Sequence, residues 1–173
     1  MKRTEFGIER TSCACAACSR FCEIMPGYLI PADLDRIIPK WELNDPDPTH
    51  DPLTWAESNL LASPGALVSK GFELFRIHTL VPTRQESGVC IHFTAERRCT
   101  IYPVAPFGCA FFGCDQYTAM KMWANHSALE DVYRAQLDRS SLYGMIWEHL
   151  WKLGKRAPRP EVARGLMEKG VER

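Results

Sequence analysis

The chain has 173 residues, of which 46% are hydrophobic and 24% charged, and its formal net charge is zero. This composition is ordinary for a globular protein, and the length suffices for one domain with a buried core. Proteins that bind nucleic acid over much of their surface are normally basic, so we expect no nucleic-acid partner. No stretch approaches the roughly 20 apolar residues that span a bilayer, and the N-terminus MKRTEFGIERTS lacks the apolar run of a signal peptide. We therefore expect a cytoplasmic protein without a membrane segment.

The first third of the chain predicts a flexible end followed by a short helix. Residues 1–12 are polar, and we expect them to form a flexible N-terminus. Residues 31–38 predict a helix, because Pro31 suits a first helical turn and Asp33 suits the positive end of the helix dipole. Pro39 is expected to end this helix.

The middle of the chain predicts one more helix and then strands. Residues 44–52 are rich in proline and aspartate and predict a loop, and 53–62 predict a helix closed by the turn sequence 63–65. Partial alternation over 73–84 predicts a strand. Cys90–Phe93 and Cys99–Tyr102 are short β-prone runs on either side of the sequence TAERR, which favours a hairpin.

The last third predicts helices. Residues 116–125 and 127–138 have helical composition, and apolar residues recur at helical spacing over 142–153. The whole pattern predicts an α+β fold that is mostly helical, with a short β-hairpin at a cysteine-rich metal site. We expect this domain to cover 13–153, and 154–173 to be a loosely attached basic tail.

The eight cysteines form two compact groups, and the long stretches between and after the groups contain none. Ligands for a metal are usually grouped in this way, whereas disulfides tend to join distant parts of a chain. Disulfides are also rare in the cytoplasm. The predicted metal ligands are Cys13, Cys15, Cys18 and Cys22 in the first group, and Cys90, Cys99, Cys109 and Cys114 in the second.

Thiolate sulfur is the ligand that holds iron–sulfur clusters and structural zinc, and each centre usually takes four such ligands. The first group has the spacing C-x-C-x2-C-x3-C, and the second C-x8-C-x9-C-x4-C. Two interpretations follow from these spacings. Each group forms its own centre, or a single centre takes Cys15 and Cys18 together with cysteines of the second group.

The cysteine motifs resemble those of the YkgJ family, whose members are described as zinc- or iron-chelating domains. The matching segments are the N-terminal cysteines, the stretch YLIPADLDRII (28–38), and Cys90–Phe93, Cys99–Tyr102 and Pro106–Cys109 in order and spacing. The first group lacks the family's adjacent cysteine pair, and Ala105 replaces its arginine before the proline. The resemblance implies metal chelation. The family in turn is similar to the cysteine-rich part of flagellin lysine methylases, which is associated with an iron–sulfur cluster.

We expect an iron–sulfur cluster rather than zinc, because the candidate ligands are all sulfur and aromatic residues surround the second group. Zinc held by four thiolates is the alternative. The expected function is electron transfer, redox sensing or support of a partner enzyme. A zinc-stabilised interaction module and a cluster-dependent modifying enzyme are the other hypotheses.

The remaining conspicuous side chains have structural interpretations. His78 lies in a strand-like run and His92 lies two residues after Cys90, and we interpret both as structural histidines rather than ligands. Trp147 and Trp151 have the spacing of a packed helix face. No catalytic motif is found in the sequence.

Overall fold

The computed structural model of the chain describes residues 2–3, 8–9, 16–42, 51–70, 72–111, 119–160 and 162. Within these residues the helices are α1 (Ala16–Ile24), α2 (Pro31–Glu42), α3 (Pro52–Asn59), α4 (Phe107–Phe111), α5 (Ala119–Leu137) and α6 (Leu142–Lys152). The strands are β1 (Lys2–Arg3), β2 (Ile8–Glu9), β3 (Leu60–Lys70) and β4 (Glu73–Pro82), and a 3₁₀ helix covers Tyr102–Val104. The predicted α+β class is confirmed, with more helix than strand.

The antiparallel hairpin of β3 and β4 is the element on which the helices pack. Its register runs from Leu60 opposite Pro82 to Lys70 opposite Glu73. Helix α6 packs on β3, α5 packs on β4, and α3 packs on α6. The side chains that fill the space between the hairpin and the helices are buried, among them Leu29, Leu34, Leu60, Leu80, Val132, Ile146 and Leu150.

Two predicted helix ends are wrong. Helix α2 continues through Pro39 to Glu42, because burial of Leu34 and Ile38 on its inner face outweighs the hydrogen bond that the proline removes. Helix α3 ends at Asn59 rather than at residue 62, and β3 begins at once. The predicted turn at 63–65 is instead an irregularity within β3.

Gly65 explains why β3 accepts this irregularity. Its backbone has φ of 68°, and a Cβ at this position would lie 1.6 Å from the carbonyl oxygen of Ile77. Only glycine allows both the left-handed conformation and the close approach of the partner strand. The turn-forming sequence therefore makes a bulge, which changes the direction of the strand without ending it.

The hairpin predicted at the second cysteine group is reduced to one antiparallel bridge, Phe93 with Cys99, around the sequence TAERR. Backbone bonds from Thr94 to Arg98 and from Thr100 to His92, both at 2.9 Å, close this chain reversal. The N–H of Phe93 bonds to the carbonyl of Cys90 at 3.0 Å, and that of Tyr102 to the carbonyl of Cys99 at 3.2 Å. These local turns stop the pairing from extending, and the long hairpin of this fold lies at 60–82.

The predictions for β4 and α6 are confirmed, and the two helices predicted over 116–138 are one helix, α5. Residues 116–118 lie outside the described part of the chain. Ser141 caps α6 by accepting a hydrogen bond from the Gly144 N–H at 3.0 Å. Trp147 and Trp151 stack with ring centres 4.8 Å apart, as their spacing predicted. None of the described helices has the length and apolar character needed to cross a membrane.

The segment after α6 begins with contacts to the hairpin. The Ala62 N–H bonds to the carbonyl of Lys155, and the Ala157 N–H to the carbonyl of Ala62, both at 2.9 Å. The guanidinium of Arg156 lies 4.2 Å from the ring centre of Trp151. The domain limits predicted at residues 12 and 154 stay predictions, since most of both terminal segments lies outside the described residues.

A buried carboxylate, Asp33, connects α2 with α4. Its Oδ2 accepts hydrogen bonds from the N–H of Ile30 at 3.0 Å and from the N–H of Phe107 at 2.8 Å. Its Oδ1 forms an ion pair with Arg36. Ile30 and Phe107 lie at the N-terminal ends of the two helices, where backbone donors have no partner within the helix. One fully buried side chain therefore satisfies donors from two helices.

We expect Asp33→Asn to lower the free energy of unfolding by about 3 kcal/mol, because the amide loses the charge that pairs with Arg36 and directs N–H groups at backbone donors. Urea denaturation of the variant measures this loss. Asp35→Asn is the matched control, since Asp35 is exposed on the same helix, and we expect it to change stability by less than about 0.5 kcal/mol. Equal effects of the two substitutions would contradict the role given to Asp33.

Candidate metal centre

The structure describes the side chains of half of the predicted ligands. Cys22, Cys90, Cys99 and Cys109 are present as thiols. Cys18 lies in α1, but its side chain is outside the described part, as are Cys13, Cys15 and Cys114 altogether. These four thiols are the last cysteine of the first group and the first three cysteines of the second.

The first cysteine group leads into a helix. Helix α1 begins at Ala16, and Cys18 and Cys22 are one helical turn apart along its backbone. Ala16 and Ala17 favour helix here, since alanine has the highest helix propensity. From residue 16 onward, the first cysteine group is therefore helical.

Helix α1 is held against the segment that carries the second cysteine group. The backbone N–H of Cys90 bonds to the carbonyl of Cys22 at 2.8 Å. Near the other end of this segment, Arg97 donates to the hydroxyl of buried Ser19 at 2.6 Å and pairs with Glu23 at 2.7 Å. Two cysteines that are distant in sequence thus belong to backbone segments in direct contact.

Arg97 adopts an uncommon backbone conformation to make these contacts. Its φ is 59°, in the left-handed region that non-glycine residues occupy at a cost of about 1 kcal/mol. The Arg97–Glu23 pair is partly exposed, and such pairs contribute less than about 1 kcal/mol. The hydrogen bond to Ser19, whose side chain is buried, is the stronger of the two contacts.

Burial controls the ionisation of Cys90. Removal from water raises the pKa of the Cys90 thiol to about 11, and the neighbouring Cys99 adds to the rise, while the backbone N–H of His92 and the charge of Arg84 oppose it. The raised pKa keeps this thiol protonated at pH 7, so a bound cation has to displace the proton. Thiol sulfur is nevertheless a donor that suits zinc or an iron–sulfur cluster once it is deprotonated.

His92, whose backbone N–H interacts with this thiol, has a buried Nε2 atom. Burial lowers the pKa of His92 to about 4, so its imidazole is neutral at pH 7. The carbonyl of His92 accepts a hydrogen bond from the N–H of Thr100 at 2.9 Å. This bond links the segment after Cys90 to the segment after Cys99.

Cys109 is placed by a close crossing of two glycines. Gly27, in the loop after α1, lies against Gly108 of α4, and a Cβ on Gly27 would lie 2.0 Å from the backbone nitrogen of Cys109. The Gly108 N–H bonds to the carbonyl of Tyr28 at 2.8 Å, and the Cys109 thiol contacts the carbonyl of Gly27 at 3.9 Å. Cys109 is thereby brought against the loop that follows α1.

The four described thiols do not form a closed ligand set. Over the part of the chain that the structure describes, no three side chains of Cys, His, Asp or Glu lie close enough together to hold a metal ion. The assignment of eight cysteines as ligands stays a prediction, because four of the side chains are not described.

Comparison with known proteins adds no relative to this picture. No protein-family model, curated protein or solved structure matches the chain. The resemblance to the YkgJ family stays a prediction that depends on the cysteine-containing motifs.

Three positions that support the site were not identified from the sequence. Arg84 and Arg97 contact α1, and Gly108 makes the close crossing with Gly27. The need for glycine on both sides of a backbone crossing depends on which segments meet, and the sequence does not show this. The arginines had no periodic or motif signal, because their acceptors are carbonyls and a hydroxyl far away in sequence.

We expect Gly27→Ala to destabilise the protein by about 3 kcal/mol and to expose Cys109, because the added methyl overlaps the backbone of α4. The measurements are denaturant unfolding and the rate of Cys109 alkylation, followed by mass spectrometry of the folded protein. Gly88→Ala is the control, since a Cβ there meets nothing within 4 Å. It should cost only about 1 kcal/mol, from its left-handed backbone. Unchanged Cys109 alkylation in Gly27→Ala would contradict the proposed crossing.

Proposed function

We propose that the chain binds an iron–sulfur cluster at one centre shared by both cysteine groups. The observation that supports a shared centre is the hydrogen bond between the backbones of Cys90 and Cys22, at 2.8 Å. With it, the polar contacts of Arg97 hold α1 on the segment of the second group. Two separate centres would not require α1 and this segment to pack together.

The surroundings favour a cluster over zinc. Phe93 and Phe107 are buried, and Phe107 stacks near Phe111 with ring centres 6.3 Å apart. Phe93 belongs to the second cysteine segment. In α4, Cys109 lies between Phe107 and Phe111 in sequence. Apolar rings that exclude water stabilise a cluster and set its reduction potential. When bound, such a cluster supplies one-electron chemistry, and the residues of this chain hold it and exclude water.

The role that fits this arrangement is electron transfer, redox sensing or support of a partner enzyme in the cytoplasm. A cluster that modifies a substrate needs an open coordination position, whereas a zinc-stabilised module needs only four closed thiolate ligands. The neutral net charge gives no reason to expect nucleic acid as the partner. A protein partner is therefore the proposed recipient of electrons or of the signal.

Anaerobic purification distinguishes the metals. We expect a brown protein with broad visible absorption, containing iron and acid-labile sulfide in equal amounts. A colourless protein with one zinc per chain would contradict the cluster and support the zinc-stabilised module instead. If the protein is purified without metal, stably folded and with all thiols accessible, the metal-binding proposal itself fails.

Single cysteine variants distinguish one shared centre from two. We expect Cys18→Ser and Cys90→Ser each to remove nearly all of the bound metal, because each takes a ligand from the same centre. With two separate centres, each variant would keep about half. Ser87→Ala is the control, an exposed residue in the turn before Cys90, and it should retain the full metal content. Metal and protein are quantified on the folded, monodisperse fraction of each variant.

A further inference from the structure

A cavity of about 160 Å³ lies beside the cysteine segments and is distinct from them. It is bounded by the loop after α1, the middle of the β3–β4 hairpin, α5 and residues 157–160. Its walls are mainly apolar, with Met25, Val81, Phe111 and Leu129 among them. None of the eight cysteines is among the described residues that line it.

Arg84 is the only charged side chain among the described residues that line this cavity. Its guanidinium donates to the carbonyl of Ile24 at 2.5 Å and to that of Gly88 at 3.3 Å. Its Nε is buried and has no hydrogen-bond partner, and no carboxylate of the described residues pairs with it. Partial burial lowers the pKa of Arg84 from its ordinary value, and the neighbouring Cys90 thiol opposes this shift.

Two further polar groups line the cavity near its apolar walls. Thr79 is 5% exposed, and it is one of the residues that line the cavity. The Oδ1 of Asn125 accepts from the Tyr28 hydroxyl at 2.6 Å, which leaves the amide N–H groups of Asn125 as donors. The described lining therefore offers a cation, a hydroxyl and an amide donor, and contains no acidic side chain.

We propose that this cavity binds a small organic monocarboxylate with a compact apolar body. The carboxylate pairs with Arg84 and accepts from Thr79 or Asn125, and the apolar body contacts the walls. Cavities of about 150 Å³ lined by apolar side chains accept a benzene ring. The volume thus suits a single ring or a short branched chain, and the proposal does not depend on a metal in the neighbouring site.

The size of the ligand sets the affinity to expect. A ligand of about nine non-hydrogen atoms with a charged contact binds with Kd of about 0.1–1 mM. Benzoate is a suitable probe, and benzamide is its neutral counterpart of nearly the same shape. We expect benzoate to bind the protein as purified and benzamide to bind at least about tenfold more weakly, because it lacks the charge that pairs with the guanidinium.

Protein-observed NMR titration of the full chain tests the proposal. Arg84→Met should weaken benzoate binding by about 10- to 100-fold, while Arg98→Met, which removes an exposed arginine outside the cavity, should leave it unchanged. Because Arg84 also holds two carbonyls, Ala66→Phe provides a second variant that fills the cavity and keeps the arginine. It should abolish benzoate binding without removing the charge.

Three outcomes overturn the proposal: no shift of wild-type resonances at about 10 mM benzoate, equal binding of benzoate and benzamide, or equal benzoate affinity of Arg84→Met and Arg98→Met. Metal content is measured on the same samples, so the two proposals fail separately. Metal-loaded protein that does not bind benzoate contradicts only the carboxylate site. Metal-free protein that binds benzoate contradicts only the metal centre.

Discussion

The buried carboxylate of Asp33 is the interaction on which the arrangement of this protein most depends. It accepts from donors at the start of α2 and of α4 and pairs with Arg36. A buried charge is tolerated only when it is paired and fully hydrogen-bonded, so these groups must lie together in the folded state. Because α4 carries Cys109, a side chain in the core determines where one of the candidate ligands lies.

The hydroxyl of Tyr143 has a similar role on the other side of the core. It accepts a hydrogen bond from the N–H of Leu80 at 2.9 Å and donates one to the carbonyl of Leu29 at 2.7 Å. This residue is buried, and it connects α6, β4 and the residues that precede α2. The hairpin and the segment between α1 and α2 are thus parts of one hydrogen-bonded core.

The elements predicted correctly are those whose signal is local. The apolar spacing over 142–153, with Ser141 before it and Gly154 after it, specifies α6 by itself. The predictions failed at Pro39 and at 63–65, where packing outweighs residue preference. The hairpin expected at Cys90–Tyr102 is limited to one bridge for the opposite reason, since local turns at its ends use the backbone groups of a longer ladder.

The sequence by itself determined the class of fold, the grouping of the cysteines and the chemistry that such groups favour, because these depend on composition, periodicity and spacing. Only the tertiary structure decided that α1 packs on the segment of Cys90 and that Gly27 crosses Gly108. It also placed Arg84 at a cavity without a carboxylate among the described residues to pair with it. These features depend on contacts between segments distant in sequence, and such contacts arise from burial and hydrogen-bond satisfaction across the whole core.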